Sequence, residues 1–302
     1  VSARAGLLCI GECMVELSGG ENALYQQGFA GDTLNTAWHA RAALPSGIPV
    51  GFFTAVGTDT MSDRMLDFLD RSQIARAHVL RIPARRPGLY MIEQRDGDRH
   101  FTYWRDTSAA RLMAEDPERL TAAFAEAAYL YFSGITLAIL TPQARDRLVQ
   151  ACLNAQQDGA KLVFDPNIRP ALWPDAAQMR DVLETTAALC DIVLPSFDDE
   201  KTHFGDATAE QTCARFARLT KGRAEIIVRD GARPVHLLTP GGVPEAITVP
   251  TVAQIVDATG AGDAFSGGYL AARLSGQSPR NAALKGIATS AQVIGHHGAI
   301  PR

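Results

Sequence analysis

The sequence predicts an α/β fold built on a mostly parallel sheet, with a smaller sheet beside it. Three observations carry that expectation. Short apolar runs alternate with helical patterns from about Tyr129 onward. In the N-terminal third, Asp96-Gly97 separates two alternating segments, and near the C-terminus Gly260-Ala261-Gly262 leads into a carboxylate and an amphipathic helix.

Taken in order, Leu7-Leu8-Cys9-Ile10-Gly11-Glu12-Cys13-Met14-Val15 reads as the first strand. Glu12 interrupts it too soon for a secretory leader, and no small-residue cleavage site follows. Gly88–Arg95 and Asp98–Arg105 flank Asp96-Gly97, a dipeptide suited to a two-residue type I′ turn. With that turn, Tyr90 pairs with Tyr103, and Ile92, Phe101 and Arg105 share their face. Two phenols and a guanidinium then line one surface. A half-buried sheet that packs its aromatic side on the core explains the hairpin equally well.

Beyond it, Tyr129-Leu130-Tyr131-Phe132 reads as a strand, Thr141-Pro142 enters a helix that stops near Gly159, and Leu162-Val163-Phe164 is the next strand. Asp191-Ile192-Val193-Leu194, a helix around Glu210–Leu219 and Ile226-Ile227-Val228 continue the series. Strands separated by helices imply a parallel sheet, whose ligands gather at the carboxyl ends of the strands. That rule places Asp165–Arg169, Pro195–Glu200, Arg229–Gly231 and Gly260–Asp263 along one rim. An extended stretch, Ala253-Gln254-Ile255-Val256, leads to the last of these.

A length of 302 residues with 46% hydrophobic content suits one large α/β domain, with or without a small appendage. The net charge of −4 and the absence of any Lys/Arg block argue against nucleic acid and anionic membranes as partners. The apolar stretch from Ala127 to Leu140 is broken by Ser133 and Gly134 and is too short to span a bilayer, so a cytoplasmic protein is expected. Five cysteines (Cys9, Cys13, Cys152, Cys190, Cys213) with no C-x-x-C pair suit reduced thiols. No internal repeat or low-complexity tract is present.

The chemistry concentrates at residues 260–263. Small residues leave the first N–H groups of a helix open, and those donors together with the helix dipole bind phosphate oxygens. Asp263 stands in the first turn, where a carboxylate repels phosphate, and a task that explains it is to take a proton from an attacking hydroxyl. The plain alternative is an acidic residue that complements its own helix dipole. A dinucleotide fingerprint fails, because Phe265 stands where its third glycine belongs. No G-x-x-x-x-G-K-[ST], H-R-D or D-F-G is present, which excludes P-loop and protein kinases on motif grounds.

The segment Asp257-Ala258-Thr259-Gly260-Ala261-Gly262-Asp263 resembles the signature of the ribokinase-like (PfkB) carbohydrate kinases, with Ala258 in place of the usual Thr or Pro. Gly31-Asp32-Thr33-Leu34-Asn35-Thr36-Ala37 and Gly57-Thr58-Asp59 match the family's N-terminal markers, so the resemblance covers nearly the whole chain. It implies a single ribokinase-like domain over 1–302, with a three-layer α/β/α core. A discontinuous β lid at about 12–30 and 87–108 would close over the sugar and make a dimer contact. It implies ATP and Mg²⁺, Asp263 as catalytic base, and Gly260, Ala261 and Gly262 as the anion hole.

Within the family, Gly11-Glu12-Cys13-Met14, Pro87-Gly88-Leu89-Tyr90, Tyr103-Trp104-Arg105, Ser133–Leu140 and Asp165-Pro166-Asn167-Ile168-Arg169 are similar to members that phosphorylate the 6-hydroxyl of a six-carbon keto acid. Arg105 and Arg169 offer the planar fork that a sugar-acid carboxylate needs. By the resemblance, Tyr90 and Tyr103 contact the sugar acid and Gly31, Asp32 and Asn35 hold its hydroxyls. Asn167, Arg169, Arg229 and Gly231 would lie near the nucleotide. The alternatives are that Arg105 pairs with Asp106 or Glu93 and that Arg169 braces the loop before Trp173.

The family's N-x-x-E reads Phe197-Asp198-Asp199-Glu200 here, which keeps only the glutamate; Glu200 is expected to act on a metal through water. Some members bind a monovalent cation near the positions of Asp257 and Thr259, and the reading leaves that open. His296 and His297 have no partner at metal-ligand spacing and are expected to be structural or near the nucleotide. Two rivals stand: a kinase of the same fold for a neutral sugar such as fructose, and a sugar-sensing protein without catalysis.

Overall fold

The computed structural model describes residues 4–19, 24–95, 98–252 and 254–301. Its main sheet has the spatial order β4 (Val50–Phe53), β1 (Leu7–Ile10), β9 (Tyr129–Ser133), β10 (Lys161–Asp165), β11 (Ile192–Val193), β12 (Glu225–Val228), β13 (Val235–Leu238), β14 (Glu245–Ile247). The strands from β4 to β12 are parallel, and β13 and β14 add antiparallel to the edge. The parallel part follows from helical crossovers such as α5 (Pro142–Gln157) between β9 and β10 and α6 (Ala176–Ala187) between β10 and β11. Thr141 caps α5, its hydroxyl accepting from the Ala144 N–H at 3.2 Å, and Pro142 follows at the first helical position.

Alternation along the strands divides the core into two layers. Leu8, Ile10, Leu130, Phe132, Leu162 and Phe164 pack on one side with Leu148, Met179 and Phe216 of α5, α6 and α8 (Ala209–Leu219). Cys9, Tyr131 and Val163 face the other way, against α1 (Asp32–Ala43), α2 (Thr60–Arg71), α9 (Ala261–Leu274) and α10 (Pro279–Val293). The result is the three-layer α/β/α arrangement expected. Helix α9 is rich in small residues because it touches α1 closely; a Cβ at Gly267 would fall 2.8 Å from the Thr36 carbonyl oxygen.

A separate four-stranded sheet has the order β3 (Tyr25–Ala30), β2 (Met14–Gly19), β7 (Gly88–Arg95), β8 (Asp98–Trp104), and β5 (Ala55–Val56) pairs with β6 (Leu80–Arg81). Tyr90 pairs with Tyr103 and Ile92 with Phe101, as the sequence predicts. The turn dipeptide Asp96-Gly97 lies outside the described residues.

Two expectations are corrected. The run Leu7–Val15 is not one strand: β1 belongs to the main sheet and β2 to the small one, with Gly11–Cys13 crossing between them. Of the extended stretch before the last loop, Ala253 lies outside the described residues, and 254–256 form no strand, with Ile255 63% exposed. All five cysteines are free and buried, and among the described residues no helix is long and apolar enough to cross a membrane.

Candidate active site

Helix α9 begins after Gly260, whose φ of 75° lies in the left-handed region; a Cβ there would meet Ala299 Cβ at 2.4 Å. The Ala261 N–H closes the turn onto the Ala258 carbonyl at 3.2 Å. Of the loop's donors, the Gly260 N–H and, at the head of the helix, the N–H groups of Gly262 and Asp263 carry no protein partner among the described residues. Of the expected cradle at 260–262, only the Ala261 N–H is engaged within the loop, and the open donors extend one residue further, to Asp263. Two open donors at the positive end of a helix still fit a phosphate oxygen.

Asp263 sits beside those donors. Its Oδ2 accepts from Asn35 Nδ2 at 2.8 Å, and its carbonyl oxygen accepts from the Thr36 hydroxyl at 3.2 Å. Burial pushes its carboxyl up to about 7, with the Asp32 carboxylate adding to the rise. The Asn35 amide opposes it, Asp165 adds, and Arg229 opposes. A carboxylate tuned to neutrality is suited to accept a proton near pH 7.

The N-terminal turn reaches the same place through α1. A Cβ on Gly31 would lie 2.2 Å from the Glu12 carbonyl oxygen, so only glycine lets the chain pass there. The Gly31 N–H donates to Asn35 Oδ1 at 3.4 Å. Asp32 Oδ2 accepts from the Ser133 hydroxyl and, at 2.9 Å, from Asn167 Nδ2. Asn167 has a φ of 32°, and its N–H donates to Asp165 Oδ1 at 3.1 Å. Gly31, Asp32, Asn35, Asn167 and Asp263 thus form one connected group across α1, the end of β10 and α9.

Arg229 and Glu200 face away from the roles expected of them. The Arg229 fork is engaged internally: Nη2 donates to both Asp165 oxygens at 2.9 Å and to the Leu194 carbonyl at 2.6 Å, and Nη1 to the Gly262 carbonyl at 2.9 Å. Asp165 is buried, and a buried carboxylate left without a cation would be strongly destabilising, which explains the inward turn. Gly231, with φ 58°, forms the exposed turn that follows. Glu200 lies in α7 (Phe197–Phe204), is 0% exposed, and pairs with Arg215, which also binds Asp206 at 2.9 Å and Glu184 at 3.2 Å. Fully buried and paired with Arg215, Glu200 is not turned toward the rim where the expected role on metal-bound water would place it. No cluster of three or more His, Cys, Asp or Glu suited to a metal occurs among the described residues.

The small sheet supplies an aromatic face. Tyr90 stacks on Tyr103 at 5.7 Å and Tyr103 on Phe101 at 6.2 Å, with the Arg105 guanidinium 6.0 Å from the Tyr103 ring. Tyr90 is buried and donates its hydroxyl to Glu16, whereas Tyr103 is exposed. Burial raises the Tyr103 phenol, and the positive charges of Arg105 and Arg169 act to lower it. Arg105 is only 8% exposed and pairs with neither Asp106 nor Glu93; its partner is Glu12. Arg169 donates to the Ile168 carbonyl at 2.7 Å and lies 3.7 Å from Asp199, while Arg145, not Arg169, covers the Trp173 ring.

Sequence reasoning gave Glu12 and Asp165 no role. The signal for Glu12 was there, a lone carboxylate in an apolar run; Asp165 stands at the end of a buried strand, where an acid needs a partner. His296 and His297 line a cavity of about 600 Å³ with Asp257, Thr259, Glu16 and Ile92, between the small sheet and the C-terminal segment. Asp257 accepts the Thr259 N–H at 2.8 Å on one oxygen and the Gly298 N–H at 2.7 Å on the other.

Residues 4–302 match the pfkB family carbohydrate kinases. The chain is 38% identical over 299 residues to the 2-dehydro-3-deoxygluconokinase of Escherichia coli K12, covering 96% of this chain and 95% of that one. It is 36% identical, with the same coverage, to the enzyme of that name from Dickeya dadantii. A fructokinase of Vibrio alginolyticus is 31% identical over 224 residues, covering 73% of this chain and 69% of that one. Among solved structures, a PfkB protein from Polaromonas sp. JS666 superposes with a TM-score of 0.84 at 25% identity, with 95% of each chain covered. A putative ribokinase II of E. coli in complex with ATP and Mg²⁺ superposes with a TM-score of 0.82 at 24% identity, covering 98% of this chain and 94% of that one.

Proposed function

The chain belongs to the pfkB family of carbohydrate kinases, and we propose that within it the protein is a 2-dehydro-3-deoxygluconokinase. The reaction is transfer of the γ-phosphoryl group of Mg-ATP to the 6-hydroxyl of 2-keto-3-deoxygluconate. The observation that carries the reading is Asp263, a carboxyl raised to about 7 beside two open N–H groups at the start of α9. That is the pairing of base and anion cradle that phosphoryl transfer needs.

In this reading Asp263 takes the proton of the 6-hydroxyl as its oxygen forms a bond to the γ-phosphorus. The bond from that phosphorus to the bridging oxygen breaks, and ADP leaves with the electron pair. The Gly262 and Asp263 N–H groups receive the charge that builds on the phosphoryl oxygens, and Asn35 keeps the Asp263 carboxylate aimed. Mg²⁺ arrives with ATP and neutralises the polyphosphate; no residue here is assigned to ligate it. Gly31, Asp32 and Asn35 hold sugar hydroxyls, Asn167 and Arg169 lie toward the nucleotide, and Tyr90 and Tyr103 form the wall of the sugar site. A monovalent cation at Asp257 and Thr259 stays part of the proposal.

Arg105, 6.0 Å from the Tyr103 ring, and Arg169 favour an acid over a neutral sugar, since each offers a guanidinium fork that a carboxylate can use. We place the enzyme in the cytoplasm and read the small sheet as a lid. Its other face, where Trp104 is exposed opposite Leu89, is proposed as the contact with a second copy.

The test is ADP release from Mg-ATP measured side by side on 2-keto-3-deoxygluconate, its galactonate epimer, fructose and ribose, with Arg105→Ala as companion. The expected result is a preference for keto acids that falls by about 10–100-fold in kcat/KM in the variant, the worth of a hydrogen bond to a charged group. Turnover of fructose alone would discard the sugar-acid assignment and keep the kinase; no turnover of any of the four would favour the non-catalytic sensor.

A further inference from the structure

We propose that Arg229 is a positioning residue for phosphoryl transfer, which holds the peptide between Gly262 and Asp263 from behind and so aims the Asp263 N–H without touching the nucleotide. The inference rests on the kinase reading above, though not on which sugar is the acceptor.

The guanidinium spans four elements. Arg229 follows β12; its Nη2 binds Asp165 at the end of β10 through both oxygens at 2.9 Å and the Leu194 carbonyl after β11 at 2.6 Å. Its Nη1 crosses to the first turn of α9, donating to the Gly262 carbonyl at 2.9 Å and to Ser266 Oγ at 3.4 Å. The side chain is 13% exposed; both terminal nitrogens donate to protein acceptors, while Nε is buried without a partner.

A peptide group is planar, with its carbonyl oxygen and the next residue's N–H on opposite sides. Fixing the Gly262 oxygen therefore fixes the direction of the Asp263 N–H, one of the two donors left open at the head of the helix. A cation on that oxygen also polarises the peptide and strengthens the N–H as a donor. Donors already aimed at developing charge stabilise it more than donors that must turn toward it. The sequence shows the same fit from the other side: a Cβ at position 262 would lie 2.8 Å from Arg229 Nη1, so glycine there makes room for the arginine. A bare ion pair with Asp165 would join strands without reaching α9, and a direct phosphate ligand would not use both nitrogens on buried acceptors.

The experiment compares Arg229→Gln and Arg229→Lys with the unaltered protein, after thermal unfolding has shown which variants fold. Lysine keeps a cation next to Asp165 but cannot bridge to Gly262 at the same time, so it carries the test should the glutamine variant not fold. Steady-state kinetics use whichever acceptor the unaltered enzyme turns over, ATP binding is measured by calorimetry, and the Asp263 amide is followed by nitrogen NMR. Expected are a kcat lower by about 10–100-fold, KM and Kd for ATP within about threefold, and a displaced Asp263 amide resonance in both variants. An unchanged kcat, a loss confined to ATP affinity or an unmoved amide resonance overturns the inference. Turnover of a neutral sugar in place of the keto acid overturns the substrate assignment instead, and the kcat and KM comparison is then made with that sugar. If the unaltered protein turns over no acceptor, the kinase reading fails and the amide resonance alone decides the placement of Arg229.

Discussion

Asn35 Nδ2 donates to Asp263 Oδ2 at 2.8 Å, joining two side chains 228 positions apart in the sequence. The bond ties the first turn of α1 to the first turn of α9, the two glycine-led turns of the chain. It also uses one carboxylate oxygen and leaves the other for an acceptor hydroxyl. Asn35 is itself oriented by the Gly31 N–H, so the aim of the proposed base is set by a backbone turn that is distant in sequence and adjacent in space.

Replacing Asp263 by Asn keeps the shape and the contact with Asn35 but removes the proton acceptor. We expect kcat to fall by about 10²–10⁴-fold, the usual contribution of a general base, with ATP affinity largely intact. Single-turnover phosphate transfer and ATP titration on the purified variant measure both; near-normal turnover would remove Asp263 from the role of base.

The pH profile follows from the same group. A base must be ionised, and burial with Asp32 and Asp165 nearby raises Asp263 to about 7, while Asn35 and Arg229 oppose the rise. Activity is then full above that pH and lost as pH falls through it. Because the Asn35 hydrogen bond holds the value down, Asn35→Ala should move the acid limb of kcat upward by about half to one pH unit. A limb that stays near the ordinary carboxylate range, or moves downward in the variant, contradicts this assignment.

What was legible in the sequence is what local pattern encodes. The alternation about Asp96-Gly97 gave the Tyr90–Tyr103 register, and the strand and helix periods from Tyr129 gave the parallel rim on which Asp165, Arg229 and Asp263 meet. The direction of long charged side chains was not encoded locally. Arg229 lies on the expected rim but turns to Asp165, 64 positions away, and Glu200 turns to Arg215 in the next helix. Arg105, just after β8, finds Glu12 in the crossing between β1 and β2, 93 positions away, rather than the acids near it in sequence. The break between β1 and β2 is hidden in the sequence for a related reason: one apolar run serves two sheets, and the chain crosses between them at Gly11–Cys13.

Gly260 lies where the loop that opens α9 touches the C-terminal segment. An added Cβ would lie 2.4 Å from Ala299 Cβ and 2.8 Å from its Cα, at a φ that costs other residues about 1–2 kcal/mol. Something must shift: His39 Nε2 holds the Ala299 carbonyl at 2.8 Å and Asp257 the Gly298 N–H at 2.7 Å, whereas Gly260, between the turn and the residues held by Arg229 and Asn35, is met by the Ala264 N–H on its carbonyl alone among the described residues. The loop should therefore give way, displacing the open N–H groups of Gly262 and Asp263. Gly260→Ala is expected to lower kcat by at least about tenfold, since a displacement of roughly 1 Å at a reacting centre can cost a hundredfold, and to lower Tm as well. Adding Ala299→Gly removes the closest contact while leaving φ strained, so the double variant should regain part of kcat and little of the Tm. If kcat stays normal while Tm alone falls, the tail has moved instead, and the loop is stiffer than its contacts imply.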